Sequence, residues 1–263
     1  MQGEYIKRRL LPRIVEDICE QRDIVMTALS EDWLLRLERE NRVQWVVGYQ
    51  FGLNSASGLQ IAADKVATYL ALSLAGIDAV PHYLVKSAAD QTPRLRDTGL
   101  AENAAYVLKP LKGTSGKNIT IHSSLSQALD AAAHSTLAEL ALSPYVDIVE
   151  EYRLIALDDR LLLAYAKTNP VSINRLAMFN LAHGATAQPF APDSELVATA
   201  IHAAKQCELR LAAVDIARLQ DGHTKVIEVN SGVMLEHYAR LSKQHHAQAF
   251  RLYDTIIARM FDM

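Results

Sequence analysis

The chain has 263 residues, half of them hydrophobic and 22% charged, with a formal net charge of −3. That length leaves one large domain or two lobes equally open, and the charge gives no reason to expect nucleic acid or an anionic membrane as a general partner. Glu4, Lys7, Arg8 and Arg9 have no uninterrupted apolar core behind them, and the most apolar runs, Tyr69 to Ile77 and Leu161 to Ala166, fall short of the ~20 residues of a membrane helix. A cytoplasmic protein is therefore the expectation. Cys19 and Cys207 form no CxxC pair, so they read as ordinary buried thiols rather than as a zinc site or a disulfide.

In chain order, the first 60 residues alternate apolar runs, Asp23 to Leu29 and Val43 to Tyr49, with a charged amphipathic stretch from Glu31 to Glu40, a pattern that predicts a small β-α-β unit. Residues 60–76 predict one helix, with Val66, Leu70 and Leu74 recurring every four positions and Gly76 as its stop. A strand over Ala79 to Val85 follows. Residues 105–122 hold two β-like runs around a Gly/Ser/Lys-rich turn, the pattern of a hairpin, and the alanine-rich segment 124–140 predicts a helix. Three strands come next, around Ser143 to Val149, Glu151 to Leu157 and Arg160 to Thr168, with Asp158-Asp159 as a turn. A helix over 193–208, a β pair over 211–219 and 224–230 turning at Asp221-Gly222, and a closing helix over 237–260 complete an α+β chain with mostly antiparallel sheets.

The chemistry concentrates in two places. Asp215 ends one apolar strand, while Glu228 and Asn230 are two apart and share a side of the next, so three oxygen ligands can converge on Mg²⁺. The alternative, polar residues that merely end strands near turns, explains Asp221 but explains Glu228 poorly, because a carboxylate inside a strand is costly unless a cation or donor satisfies it. Upstream, Lys109 ends a strand. The loop Lys112-Gly113-Thr114-Ser115-Gly116-Lys117 offers backbone N–H groups, hydroxyls and ammonium groups that can fold over a triphosphate. A plain surface turn remains the alternative for that loop. It is not a P-loop, since the position five before Gly116 is Leu111, and it lacks GxGxxG. Arg153 follows Glu151 by two on one strand face. The pair is either a cross-strand salt bridge on a solvated face or a site in which Glu151 takes ribose hydroxyls and Arg153 a phosphate or carboxylate.

The ordered set Asp64-Lys65, Val107-Leu108-Lys109-Pro110, the glycine loop, Ser143 to Arg153, Asn180 to Ala185, then Val214-Asp215-Ile216 and Val226 to Gly232 resembles the ATP-grasp superfamily, in its branch of RimK-type and glutathione-synthetase-like carboxylate–amine ligases. The resemblance runs from about residue 60 to 236. It implies a short β-α-β region over 1–60 and an ATP-grasp domain over 61–263, with ATP between a small lobe near 80–145 and a large lobe near 146–263. By the same resemblance Lys65 and Lys109 contact phosphates, and Lys112, Gly113, Thr114, Ser115 and Gly116 belong to a flap. Residues around Ser143 and Tyr145 form the hinge that reads adenine through its backbone, and Glu151 holds the ribose. Asn180 and Arg153 sit on the phosphate and substrate side, and Asp215, Glu228 and Asn230 bind Mg²⁺ or Mn²⁺. Arg153 and Lys109 are the candidate catalytic residues.

Four departures limit the transfer. The hinge segment Ala141 to Tyr145 lacks the acidic or amide residue many members carry. Met178 stands where RimK-type proteins have an arginine, with Lys167 or Arg175 as possible substitutes. Gly232-Val233-Met234 replaces Pro-Gly after Ser231, and the region ahead of Asp64 is shorter than the usual N-terminal domain. The expected reaction joins an acid and an amine, each an amino acid, a peptide or a protein terminus, through an acyl phosphate, with release of ADP and phosphate. No protein nucleophile is needed, in keeping with the lack of a Ser-His-Asp or Cys-His set. An ATP-dependent kinase or carboxylase and a non-catalytic nucleotide-binding regulator are the alternatives, and a homodimer is possible.

Overall fold

A computed structural model describes residues 9–86, 99–113, 118–173 and 176–262. Its first element is a helix, α1 (Leu11–Gln21), whose Leu11, Ile14, Val15, Ile18 and Cys19 recur at helical spacing and are all buried. A four-stranded antiparallel meander follows, β1 (Val25–Leu29), β2 (Leu34–Arg39), β3 (Arg42–Val47) and β4 (Gln50–Phe51), paired in that order. This corrects the expected β-α-β unit. Ser30, Glu31 and Asp32 all take positive φ, which a right-handed helix cannot contain, and the next residues alternate like a strand. Leu35 and Leu37 are buried, whereas Arg36 and Glu38 point out and pair at 2.6 Å.

The single helix expected over 60–76 is two, α2 (Ala56–Ala63) and α3 (Lys65–Leu74). Asp64 separates them because its extended backbone caps α3, the carboxylate accepting from the N–H groups of Val66 and Ala67 at 2.9 and 3.0 Å. The four-residue repeat does not mark the core face: Leu70 is 52% and Leu74 is 90% exposed, and α3 buries Thr68 and Leu72 instead. Gly76 does end the helix region with φ of 71°.

Two larger sheets frame the site. The first is antiparallel with the order β5-β8-β6-β7, formed by β5 (Tyr83–Lys86), β6 (Tyr106–Pro110), β7 (Thr120–His122) and β8 (Glu139–Pro144). Helix α4 (Leu125–Ala133) covers one of its faces, where Val85, Tyr106, Leu108, Leu140 and Leu142 are packed. The strand expected around Ser143 to Val149 is not one element. β8 ends at Pro144, and β9 (Ile148–Leu157) starts after a short connection.

The second sheet has the order β13-β10-β9-β14-β15, adding β10 (Arg160–Thr168), β13 (Thr186–Pro189), β14 (Leu211–Leu219) and β15 (Thr224–Asn230). β11 (Val171–Ile173) and β12 (Leu176–Met178) pair apart from it. One face of this sheet, with Tyr152, Leu154, Val214 and Val229, packs on α5 (Ser194–Gln206) and α3. The other face, with Ile155, Leu157, Leu211 and Ala213, packs on α1, the meander and α7 (Lys243–Phe261), so the N-terminal elements share a core with the C-terminal helix. The closing helix is interrupted: α6 (Glu236–Ala239) precedes α7, and Ser242 caps α7 by accepting from the His245 N–H. Among the described residues no helix is long and apolar enough to cross a membrane, and both cysteines are free and buried.

Candidate active site

Strand alternation decides which polar groups meet. On β9, Glu151 and Arg153 point to the same side as Ile155, beyond the part of that face covered by the N-terminal elements. Across the ladders Arg153 lies opposite Asp215 of β14, Asp215 opposite Glu228 of β15, Ala213 opposite Asn230, and Glu151 opposite Lys167 of β10. Six polar side chains thus occupy one surface of the large sheet.

The Arg153 guanidinium donates to both oxygens of Asp215, Nε at 2.7 Å and Nη2 at 2.6 Å, a parallel fork. Lys167, only 4% exposed, donates from Nζ to Asp215 Oδ1 at 3.0 Å and also contacts Glu151. Burial alone would push the Asp215 carboxyl up, but Arg153 and Lys167 outweigh it and hold the group below the usual carboxylate range. Glu151 goes the other way, because burial and the neighbouring Asp215 charge outweigh Lys167. The two cations therefore serve Asp215 first. The expected solvated salt bridge between strands is instead a buried quartet of two acids and two bases.

Asn230 Nδ2 lies 3.4 Å from Asp215 Oδ2. Lys109, on the face of β6 away from α4, is close enough for Glu228 to oppose the effect of burial on it; burial, together with the like charge of Lys65, lowers its pKa to about 8. Lys65 sits at the start of α3 and donates from Nζ to the Gly113 carbonyl at 3.1 Å, which ties α3 to the loop after β6. Lys112 and Gly113 begin that loop, while Thr114, Ser115, Gly116 and Lys117 lie outside the described residues, as does Arg175. Ser143 is within β8, paired with Val107, and the Tyr145 N–H donates to the Ala105 carbonyl at 2.8 Å, so that amide is already engaged. Asn180 Oδ1 accepts from the Ala182 N–H at 2.9 Å and caps a short 3₁₀ turn, Leu181–His183.

Asp215, Glu228 and Asn230 are hard oxygen donors side by side, the chemistry that suits Mg²⁺. No group of three or more His, Cys, Asp and Glu side chains placed to hold a metal occurs among the described residues. Two carboxylates and an amide are an incomplete sphere, as expected for an ion that completes its coordination with water and phosphate oxygens. The residues fit the ion on those terms.

Sequence spacing presents Lys167 only as a substitute for a missing arginine; its burial between Glu151 and Asp215 is not legible there. Nor does spacing reveal the support beneath the Ser231–Val233 turn. Gln50 hydrogen-bonds Ser231 Oγ at 2.9 Å, the Asn54 amide donates to the Leu211 and Ser231 carbonyls, and the Val233 N–H donates to the Tyr49 carbonyl at 3.1 Å. The meander therefore floors the loop that follows Asn230.

Comparisons with known proteins agree with this frame. The protein PsnB, solved with a minimal precursor, shares 18% identity over 75% of this chain and 63% of its own, with a TM-score of 0.54, so the chain spans less than two thirds of PsnB. The D-cycloserine synthetase DcsG shares 20% over 76% of this chain and 71% of its own, with a TM-score of 0.58. A D-alanine–D-alanine ligase from Bacillus anthracis shares 18% over 82% and 72%, with a TM-score of 0.60. At these identities the likeness is one of fold. No curated protein matches the chain in sequence. A family model of the ATP-grasp domain, the second family of its clade, matches residues 98–249, more than half of the chain, and the chain belongs to that ATP-grasp family.

Proposed function

We propose that the chain is an ATP- and Mg²⁺-dependent carboxylate–amine ligase that forms an amide or peptide bond through an acyl phosphate and releases ADP and phosphate. The observation that carries this reading is the face-sharing set Arg153, Lys167, Asp215, Glu228 and Asn230 on one sheet, with Lys109 of the other sheet within electrostatic reach of Glu228. In the proposal, residues 80–145 and 146–263 are the lobes that close on the nucleotide. The fold likeness to a D-alanine–D-alanine ligase and to PsnB supports ligation over the kinase or carboxylase alternatives.

Asp215, Glu228 and Asn230 would hold Mg²⁺, which supplies charge neutralisation at phosphate oxygens when bound. Lys65 and Lys109 bind the phosphates as fixed point charges, and Lys112 and Gly113 lead into the covering flap. Arg153, held as a fork by Asp215, is placed to receive a carboxylate or the transferred phosphoryl group. Glu151 takes the ribose hydroxyls, and the hinge's first disengaged backbone groups follow Tyr145. Water must be kept from the acyl phosphate until the amine attacks, which is the task of the flap.

The acid and amine are amino acids or peptide ends in this reading; PsnB has been solved with a precursor peptide. The test is ADP release on adding paired acids and amines, with the condensed product identified by mass spectrometry. ADP formed without any amine would favour a kinase.

We also propose a homodimer. Val25, Leu29, Val43, Trp45 and Val47 are exposed on one face of the meander, and the Arg36–Glu38 pair gives that face equal and opposite charge, so it complements a second copy. Light scattering should show Trp45→Glu as a monomer and the native chain as a dimer.

A further inference from the structure

His82 is a buried histidine outside the roles assigned above. It is 3% exposed, its Nδ1 lies 2.8 Å from the Val80 carbonyl oxygen, and its Nε2 is buried without a hydrogen-bond partner. A ring nitrogen facing a carbonyl must carry the proton, so Nε2 of the neutral ring presents a lone pair. Burial, with the charges of Lys109 and Lys65 nearby, keeps the imidazole neutral, its pKa lowered to about 2. A buried acceptor with nothing to accept from is costly and calls for a donor.

The surroundings narrow that donor. His82 lines a small slot with Lys65, Thr68, Tyr69, Ile227 and Glu228 that has about 10 Å³ free, room for one water-sized group. Two of the local donors are already committed, Lys65 to the Gly113 carbonyl and Thr68 to the Ile61 carbonyl at 2.8 Å. Tyr83 pairs with Leu142 and Val107 with Ser143, so His82, one residue ahead of β5, comes level with Ser143 on the face that carries Lys109. That is the end of the small sheet where the chain turns into the hinge, and the hinge residues Ala141 to Tyr145 supply no acidic or amide side chain.

We propose that His82 Nε2 accepts a hydrogen bond from the exocyclic amino group of the adenine base, and so supplies from the edge of β5 the side-chain acceptor that the hinge lacks. The proposal rests on the nucleotide-binding reading above. One amino group at the rim of a flat base matches both the size of the slot and its chemistry, a single lone pair among Tyr69, Leu72, Val80, Val226 and Ile227. A 6-oxo purine would set an acceptor against an acceptor.

The test is calorimetric titration of the full chain with the Mg²⁺ complexes of ATP, purine riboside triphosphate, which has hydrogen in place of the amino group, and GTP. ATP is expected to bind about tenfold more tightly than the deamino analogue, the worth of one buried hydrogen bond, and GTP more weakly still. His82→Leu should bring the ATP-to-analogue ratio to about one, and His82→Gln, which keeps an acceptor, should retain most of it. Should His82→Leu not fold, ¹⁵N resonances of the native protein decide: Nε2 must shift with ATP and not with the analogue. An equal affinity of the native chain for ATP and the analogue means that a retained water fills the slot, and overturns the proposal. An unchanged ratio in His82→Leu does the same. Failure of all three nucleotides to bind would instead sink the nucleotide-binding reading itself.

Discussion

Arg153 and Asp215 stand opposite one another on adjacent strands and are joined by two parallel hydrogen bonds of 2.7 and 2.6 Å. Removing one partner of a buried pair leaves the other charge uncompensated, which costs about 3–5 kcal/mol. Lys167 softens that loss only in part, since it also serves Glu151. Arg153→Leu should therefore lose about 3 kcal/mol in urea unfolding. Arg153→Lys should recover some of that stability but little activity, because an ammonium cannot make the fork.

Lys109 gives the site a pH dependence. Its pKa is lowered to about 8 by burial and by Lys65, against the opposing effect of Glu228, so in the free protein the ammonium is present below pH 8 and lost above it. Phosphate contacts favour the charged form and raise the pKa in the complex. Nucleotide affinity should be flat below about pH 8 and fall as pH rises beyond it. Titrations from about pH 6.5 to about 9.5 check this, and Lys109→Arg should flatten the curve.

Glu228 and Ser115 should separate in their effects. In the proposal Glu228 is a metal ligand, so Glu228→Ala should abolish ADP formation. Ser115 belongs by sequence to the flap, and Ser115→Ala should only weaken turnover. Steady-state ADP assays decide, and an alanine variant at 228 with normal turnover refutes the metal assignment.

Glu236 couples the N-terminal helix to the segment after the candidate ligands. Its buried carboxylate accepts from the Leu10 N–H at 2.9 and 2.8 Å and from the Leu11 N–H at 3.1 Å, capping α1 from more than 200 residues away. Glu236→Ala should cost about 2 kcal/mol, the upper end for a lost cap. It should also loosen α1 in hydrogen exchange before the large sheet opens.

The β14–β15 pair is legible in the sequence because Asp215, Glu228 and Asn230 interrupt strongly apolar strands with the right alternation, and the Asp221-Gly222 turn fixes their register. The N-terminal region misleads because charge in Glu31 to Glu40 suggests an amphipathic helix, while the alternation of Leu35 and Leu37 with Arg36 and Glu38 is the stronger signal. The real helix, marked by Leu11, Ile14, Val15 and Ile18, is easily passed over beside the basic N-terminus. Leu70 and Leu74 mislead because helical spacing alone does not say which face meets the sheet. Lys167 and His82 cannot be found by spacing at all: one gains its meaning from partners on two other strands, the other from an absent partner.

The most direct measurement is the anomalous difference map of crystals grown with ADP and Mn²⁺. The account predicts a single strong peak ligated by Asp215, Glu228 and Asn230 and bridged to the nucleotide phosphates, with Lys109 on their far side. A nucleotide bound elsewhere, or manganese away from those three side chains, would contradict it.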